Sequence, residues 1–213
     1  MSALVVQVRL HDGRYHGEGD WPPSPARLFQ ALVAGACLGG PLQDAERSAL
    51  EWLEKQEPPL LAAPPAWRAR RGVLSYLPNN DSDRIEGDPL RMSEVRTAKK
   101  VLRPHFFDAS VPFVYAWSVT GEAGSDGPAR AICSLADRLY QLGRGIDMAW
   151  AWGEVLDDGG LDALLGRYPG RLFRPSAGRS ATTLPTPCPG SLESVFRRHR
   201  AFGERFRYVK DGK

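Results

Sequence analysis

The strongest constraint on the fold is an alternation of side chains that occurs twice. In residues 3–10, Leu4, Val6, Val8 and Leu10 point one way, and Val5, Gln7 and Arg9 the other. In residues 111–120, Phe113, Tyr115, Trp117 and Val119 share one face, and Val114, Ala116 and Ser118 the other. A period of two residues marks a strand, and a wholly apolar face means that one side of the sheet is buried.

Helices to cover that face are legible between and after these strands. Ser24 can cap a helix whose first position is Pro25, where a missing N–H does no harm. Leu28, Phe29, Leu32 and Val33 recur at helical spacing to about Cys37, and Gly39-Gly40-Pro41 stops the run. Ala31, Ala34 and Gly35 are small enough to let this helix lie close on a sheet. A second helix is expected over 44–55, with Leu50 and Leu53 inward. Pro58-Pro59 and Pro64-Pro65 rule out helix interior after it. A short strand is expected at 73–77 and a loop or hairpin at 81–92. After a turn over 121–127, a helix from Pro128 places Ile132, Leu135, Ala136, Leu139 and Leu142 on one stripe, closed by Gly143. A last strand covers 147–156, with Met148, Trp150 and Trp152 on one face.

The order β-α-(α)-β-β-α-β is that of an α+β, ferredoxin-like (RRM-like) βαββαβ domain. It is expected over 1–165, with an inserted basic segment, or thumb, at about 66–108. Residues 166–190, rich in Pro, Ser, Thr and Gly, read as linker. Residues 191–213 read as a basic helix bearing Arg197, Arg198, Arg200, Arg205 and Arg207, leading on toward a further part of a longer protein.

The net charge of +3 is modest, so its distribution matters more than its sum. No apolar run approaches the ~20 residues of a membrane span, and the first residues alternate like a strand instead of forming a signal peptide. Cys37, Cys133 and Cys188 are odd in number and lack CxxC spacing. Free thiols, a cytoplasmic location and no zinc site are expected. His11, His16, His105 and His199 show no metal-ligand spacing, no nucleotide or hydrolase motif is present, and no cofactor is expected.

Three constellations could carry function. Trp21-Pro22-Pro23-Ser24-Pro25-Ala26-Arg27 is either a rigid helix start under a Trp21 lid or a site where Arg27 reaches a phosphate. An arginine in the first turn is not explained by the helix dipole, which favours acids there. Leu142-Gly143-Arg144-Gly145-Ile146-Asp147 is either a helix cap and turn or a glycine loop that lets backbone N–H groups approach an anion, with Arg144 beside it. Arg91, Arg96, Lys99, Lys100, Arg103 and His105, with Arg68, Arg70 and Arg71 upstream, are either a solvated face or two arms of a basic hairpin that grips a nucleic-acid backbone. His11 and His16 are the candidates for general acid/base catalysis on a ribose 2′-OH, although they sit among Asp12, Gly13, Gly17 and Gly19 in what reads as a polar turn. Phe113, Tyr115 and Trp117 lack the RNP pattern of an RNA-binding sheet and are read as core.

The run from Trp21 to Ala34 resembles the N-terminal signature of the subtype I-G (formerly I-U) CRISPR subunit, in which a Cas family 5 half is fused to a Cas family 6 half. Tyr76-Leu77-Pro78-Asn79-Asn80-Asp81 and Lys99-Lys100-Val101-Leu102-Arg103-Pro104 are similar to its next two blocks, and Leu142-Gly143-Arg144-Gly145 to the glycine loop of the wider RAMP group. The similarity covers most of residues 1–165. It implies a Cascade subunit that caps and holds the 5′ handle of the crRNA, with an inserted thumb locking it. The implied partners are Cas family 7 backbone subunits, the large Cascade subunit and, indirectly, target DNA. The family 6 half would cut the precursor, and most of it is expected to be missing from this chain, which on this reading is not an enzyme. Two alternatives remain open: a metal-independent endoribonuclease that processes repeat RNA, and a scaffold that bridges protein partners.

Overall fold

The computed structural model describes residues 2–17, 21–78, 97–119, 126–178 and 182–207. In chain order the elements are β1 (Ser2–Leu10), β2 (Arg14–Tyr15), α1 (Pro25–Ala36), α2 (Asp44–Leu53), β3 (Leu60–Ala63), β4 (Ala66–Arg68), β5 (Val73–Pro78) and β6 (Thr97–Leu102). There follow β7 (His105–Phe107), β8 (Phe113–Val119), α3 (Asp126–Ala136), β9 (Ala149–Asp157), α4 (Asp158–Gly166), β10 (Arg171–Phe173) and α5 (Ser191–Arg207).

The main sheet has the order β10-β3-β8-β1-β9, and every neighbouring pair is antiparallel. Helices α1 and α2 carry the chain from β1 to β3, and α3 carries it from β8 to β9. The result is the expected α+β class, with β1 and β8 interleaved between β9 and β3.

The alternation in β1 decides which side is covered. Leu4, Val6, Val8 and Leu10 bury with Phe113, Tyr115 and Trp117 against Leu28 and Leu32 of α1, Leu50 and Leu53 of α2, and Ile132 and Leu135 of α3. The three aromatic residues of β8 are therefore core. On the opposite face Ala3, Val5, Val114 and Ala116 lie under Leu161, Leu164 and Leu165 of α4. Burying each large aliphatic side chain contributes about 1.5–3 kcal/mol. Neighbouring elements meet closely where the contact residues are small. A Cβ on Gly153 of β9 would lie 2.5 Å from the Cα of Cys133, and one on Gly35 of α1 would lie 2.9 Å from the Arg138 carbonyl oxygen.

Residues 66–107 form an insertion between β3 and β8. Strands β2, β7 and β4 make a three-stranded sheet in that order at its base. Above it β5 and β6 pair as a two-stranded ribbon, with Ser75 opposite Lys100 and Tyr76 opposite Lys99.

The structure departs from the sequence reading at several places. The second strand of the main sheet is Leu60–Ala63; the strand expected at 73–77 belongs to the ribbon. The helix beginning near Pro128 ends at Ala136 instead of Leu142, because the chain tightens into i→i+3 turns at Arg138 and Leu139. Leu139 and Leu142 stay buried beyond its end. The stretch 166–190 is not simply linker: Arg171–Phe173 pairs with β3, the Pro185 carbonyl accepts the Ala26 N–H, and Leu184 packs on the core. The helix from Ser191 does not stand apart, since Leu192 is buried and Val195 and Phe196 pack on the same core. Arg91, Arg96, the segment 81–92 and most of the turn 121–127 lie outside the described residues. Among the described residues no helix is long and apolar enough to cross a membrane.

Candidate nucleic-acid interface

Ser24 caps α1 as its sequence predicts, accepting the Arg27 N–H at 3.3 Å, and Pro25 occupies the first turn. That turn carries no acid. The segment before it is pinned by the core: Tyr115 donates its hydroxyl to the Pro23 carbonyl at 2.7 Å, and Trp21 stacks on His105 at 5.0 Å between ring centroids. Trp21 thus acts as the lid, and Arg27 projects from a fixed helix start.

The glycine loop comes to meet it. Arg27, Gln30, Ala31 and Ala34 of α1 line a small cavity of about 160 Å³ with Gln141 and Gly143. Gly143 has φ of 115°, a conformation that side chains with a Cβ rarely adopt. A Cβ there would also meet Tyr15 at 2.8 Å and Asp147 at 2.9 Å. Two constellations that lie far apart in sequence therefore share one small cavity.

Asp147 organises this loop, a role that its sequence position gave no hint of. Buried at the foot of β9, its carboxylate accepts the His16 N–H at 3.0 Å and the Arg144 N–H at 3.0 Å. It also lies 2.7 Å from His16 Nδ1. Arg144 donates its Nε to the His16 carbonyl at 2.8 Å, so part of its guanidinium holds the loop together. His16 accordingly belongs to an ordered, half-buried cluster rather than to a loose polar turn. Its side chain is only 11% exposed. His11 lies elsewhere: it is exposed, and its N–H donates to the Met148 carbonyl.

The basic residues of the insertion gather where the ribbon leaves the small sheet. Arg68, Arg70, Arg71 and Arg103 are all exposed. The Arg68 Nε lies 3.5 Å from the Arg103 carbonyl oxygen, and Ala69 N–H donates to the Pro104 carbonyl, so both edges of the ribbon base are tied together. Lys99 and Lys100 are carried on β6, while Arg96 lies outside the described residues. His105 is a correction to the basic run. It is 9% exposed, because the alternation of β7 turns it inward onto Trp21 and leaves Phe106 facing out.

Against known proteins, the family model described as CRISPR-associated protein, GSU0054 family, matches residues 2–209. The chain belongs to that family. No curated protein matches this GSU0054-family chain. Among solved structures it is similar to one described as the crystal structure of a CRISPR protein from Archaeoglobus fulgidus, at 10% identity and a TM-score of 0.38. The similarity covers 74% of this chain and 65% of that one, so the GSU0054-family chain spans a little under two thirds of the other protein's length.

Proposed function

We propose that this CRISPR-associated chain is the Cas family 5 half of a subtype I-G Cascade subunit, and that it caps and holds the 5′ handle of the guide RNA in antiviral defence. On this reading its fold is ferredoxin-like, it works in the cytoplasm, and the ribbon on residues 66–107 is the thumb. It packs against Cas family 7 backbone subunits and the large subunit and meets target DNA only indirectly. The observation that carries the reading is the shared cavity of Arg27 and the Gly143 loop, with the exposed arginines of the ribbon base as a second cationic region. An arginine at an acid-free helix start, with a close backbone approach at Gly143 beside it, suits a phosphate.

The test is equilibrium binding of labelled handle RNA across a range of salt. Replacing Lys99, Lys100 and Arg103 together should weaken binding and flatten the salt dependence, by about 0.7 in log–log slope for each lost contact on single-stranded RNA. An unchanged slope would make this run a solvated face. Affinity insensitive to salt in the parent would favour the scaffold reading.

The His16–Asp147 contact favours a second reading, a metal-independent endoribonuclease. Against it stands the small exposed fraction of His16, whose Nδ1 is already engaged by a buried carboxylate. A general acid or base must come within hydrogen-bond reach of the reacting oxygen. The chain alone is expected not to cut labelled repeat RNA without added metal. Site-specific cutting that vanishes in a His11→Ala, His16→Ala double variant would reverse this.

A further inference from the structure

The ribbon base carries an aromatic pair whose position a purely electrostatic grip does not account for. Trp67 of β4 and Phe106 of β7 sit directly opposite each other in the ladder and stack with ring centroids 4.4 Å apart and planes 15° apart. Trp67 is 64% exposed, among the most exposed large apolar side chains described. Cross-strand neighbours share a face, and Arg14 of β2 is opposite Phe106, so Arg14, Phe106 and Trp67 form one row across the small sheet. Arg14 is paired at 3.3 Å with Asp12, both exposed. Arg70 and Arg71 follow β4 and Arg103 precedes β7, all three exposed, and residues 60–78 and 97–107 contain no Asp or Glu.

We propose that Trp67, backed by Phe106, is a stacking platform for an unpaired base of single-stranded RNA, with the neighbouring arginines on the adjoining phosphates. The inference rests on the guide-RNA reading and adds a base contact to it. An indole supported from behind by a parallel ring presents one flat face to solvent at little entropic cost, because Phe106 already limits its rotamers. Nucleic-acid bases stack on such faces without regard to sequence, and arginines beside them neutralise the backbone. Exposed Arg68, Arg70, Arg71 and Arg103 outnumber the exposed acids Asp12 and Asp108 in the adjoining segments, a balance that favours a polyanion over a neutral protein surface.

The experiment compares the parent with Trp67→Ala, Trp67→Phe and Arg70→Ala/Arg71→Ala. Each is titrated against labelled handle RNA, a labelled oligoadenylate of equal length, and an abasic strand of equal length. Stacking predicts that Trp67→Ala binds both base-bearing RNAs about five- to 150-fold more weakly, the loss expected for one base, with the salt slope unchanged. Trp67→Phe should keep most of the affinity, and parent and Trp67→Ala should bind the abasic strand alike. The arginine variant should lower the slope on all three strands. Parental affinity of Trp67→Ala for base-bearing RNA would overturn the platform while leaving the guide-RNA reading intact. So would equal losses on the abasic strand. Failure of the parent to bind any strand would instead sink the underlying reading.

Discussion

The imidazole Nδ1 of His16 lies 2.7 Å from the carboxylate of Asp147, a residue 131 positions further along the chain. This contact ties the turn after β1 to the loop before β9. It makes the candidate anion loop part of the folded core instead of an appendage.

Removing that carboxylate should therefore be costly twice over. Asp147→Ala would leave the His16 and Arg144 N–H groups without their acceptor. A buried polar group without a partner costs about 1–3 kcal/mol, so a loss of about 2 kcal/mol or more in urea unfolding is expected, together with weaker RNA binding. Stability within about 0.5 kcal/mol of the parent, the range of a neutral surface change, would mean that the cluster is dispensable.

Glu54 should behave as the cap of α5. It is 5% exposed, and its carboxylate accepts the Gly190 N–H at 2.9 Å and the Leu192 N–H at 2.8 Å. A negative charge at a helix N-terminus is favourable. Glu54→Ala should lower stability by about 1–3 kcal/mol and speed tryptic cutting at Arg197 and Arg198. Unaltered proteolysis would show that the apolar contacts of Leu192 and Phe196 hold α5 by themselves.

Alkaline pH should destabilise the fold through two phenols. Burial pushes the hydroxyls of Tyr115 and Tyr168 up from their ordinary value of 10.0. Each donates to a backbone carbonyl, of Pro23 and of Pro112 respectively. As pH rises past about 10, the unfolded chain releases these protons while the folded chain keeps them. The folded state then binds more protons, and stability falls with rising pH; below that range the contribution is fully present. Urea midpoints from pH ~8 to ~11 should fall more steeply in the parent than in a Tyr115→Phe, Tyr168→Phe double variant. Parallel curves would contradict this.

Arg27→Ala should separate assembly from folding. The side chain is half-buried on the wall of a small cavity and not in the core, so truncation should cost no more than about 1 kcal/mol, the centre of the usual range for single substitutions. Recovery of complex with guide RNA should fall. A large loss of stability with normal recovery would make Arg27 structural.

Periodic elements were legible in the sequence because periodicity reports burial directly. The alternation of β1 and β8, the Ser24 cap with Pro25, and the stripe of α2 all appear where the residues put them. Leu60–Ala63 was not legible: four residues between two proline pairs are too few to show a period, and only the ladder with β8 makes them a strand. Arg171–Phe173 is shorter still and depends on Gly170, where a Cβ would meet the Ala63 carbonyl oxygen at 2.0 Å. In the candidate site, Arg27 and the glycine loop could be picked out from their chemistry, but their meeting could not. The binding of His16 by Asp147 left no local signal, because partners so distant in sequence are joined only by tertiary packing. Trp67 sits within an arginine run that masks it, and His105 lies among basic residues whose exposure it does not share.

The insertion on residues 66–107 hangs from two strands, β3 and β8, that are already paired with each other, and β4 and β7 close its neck. Whatever lies beyond that neck is topologically a cassette. Lengthening or shortening it changes the closure entropy only slowly, by about 0.6 kcal/mol for each doubling of length, and leaves the ladder of β1, β8 and β9 untouched. Related chains can thus diverge in the length of this insertion while inheriting an unaltered scaffold.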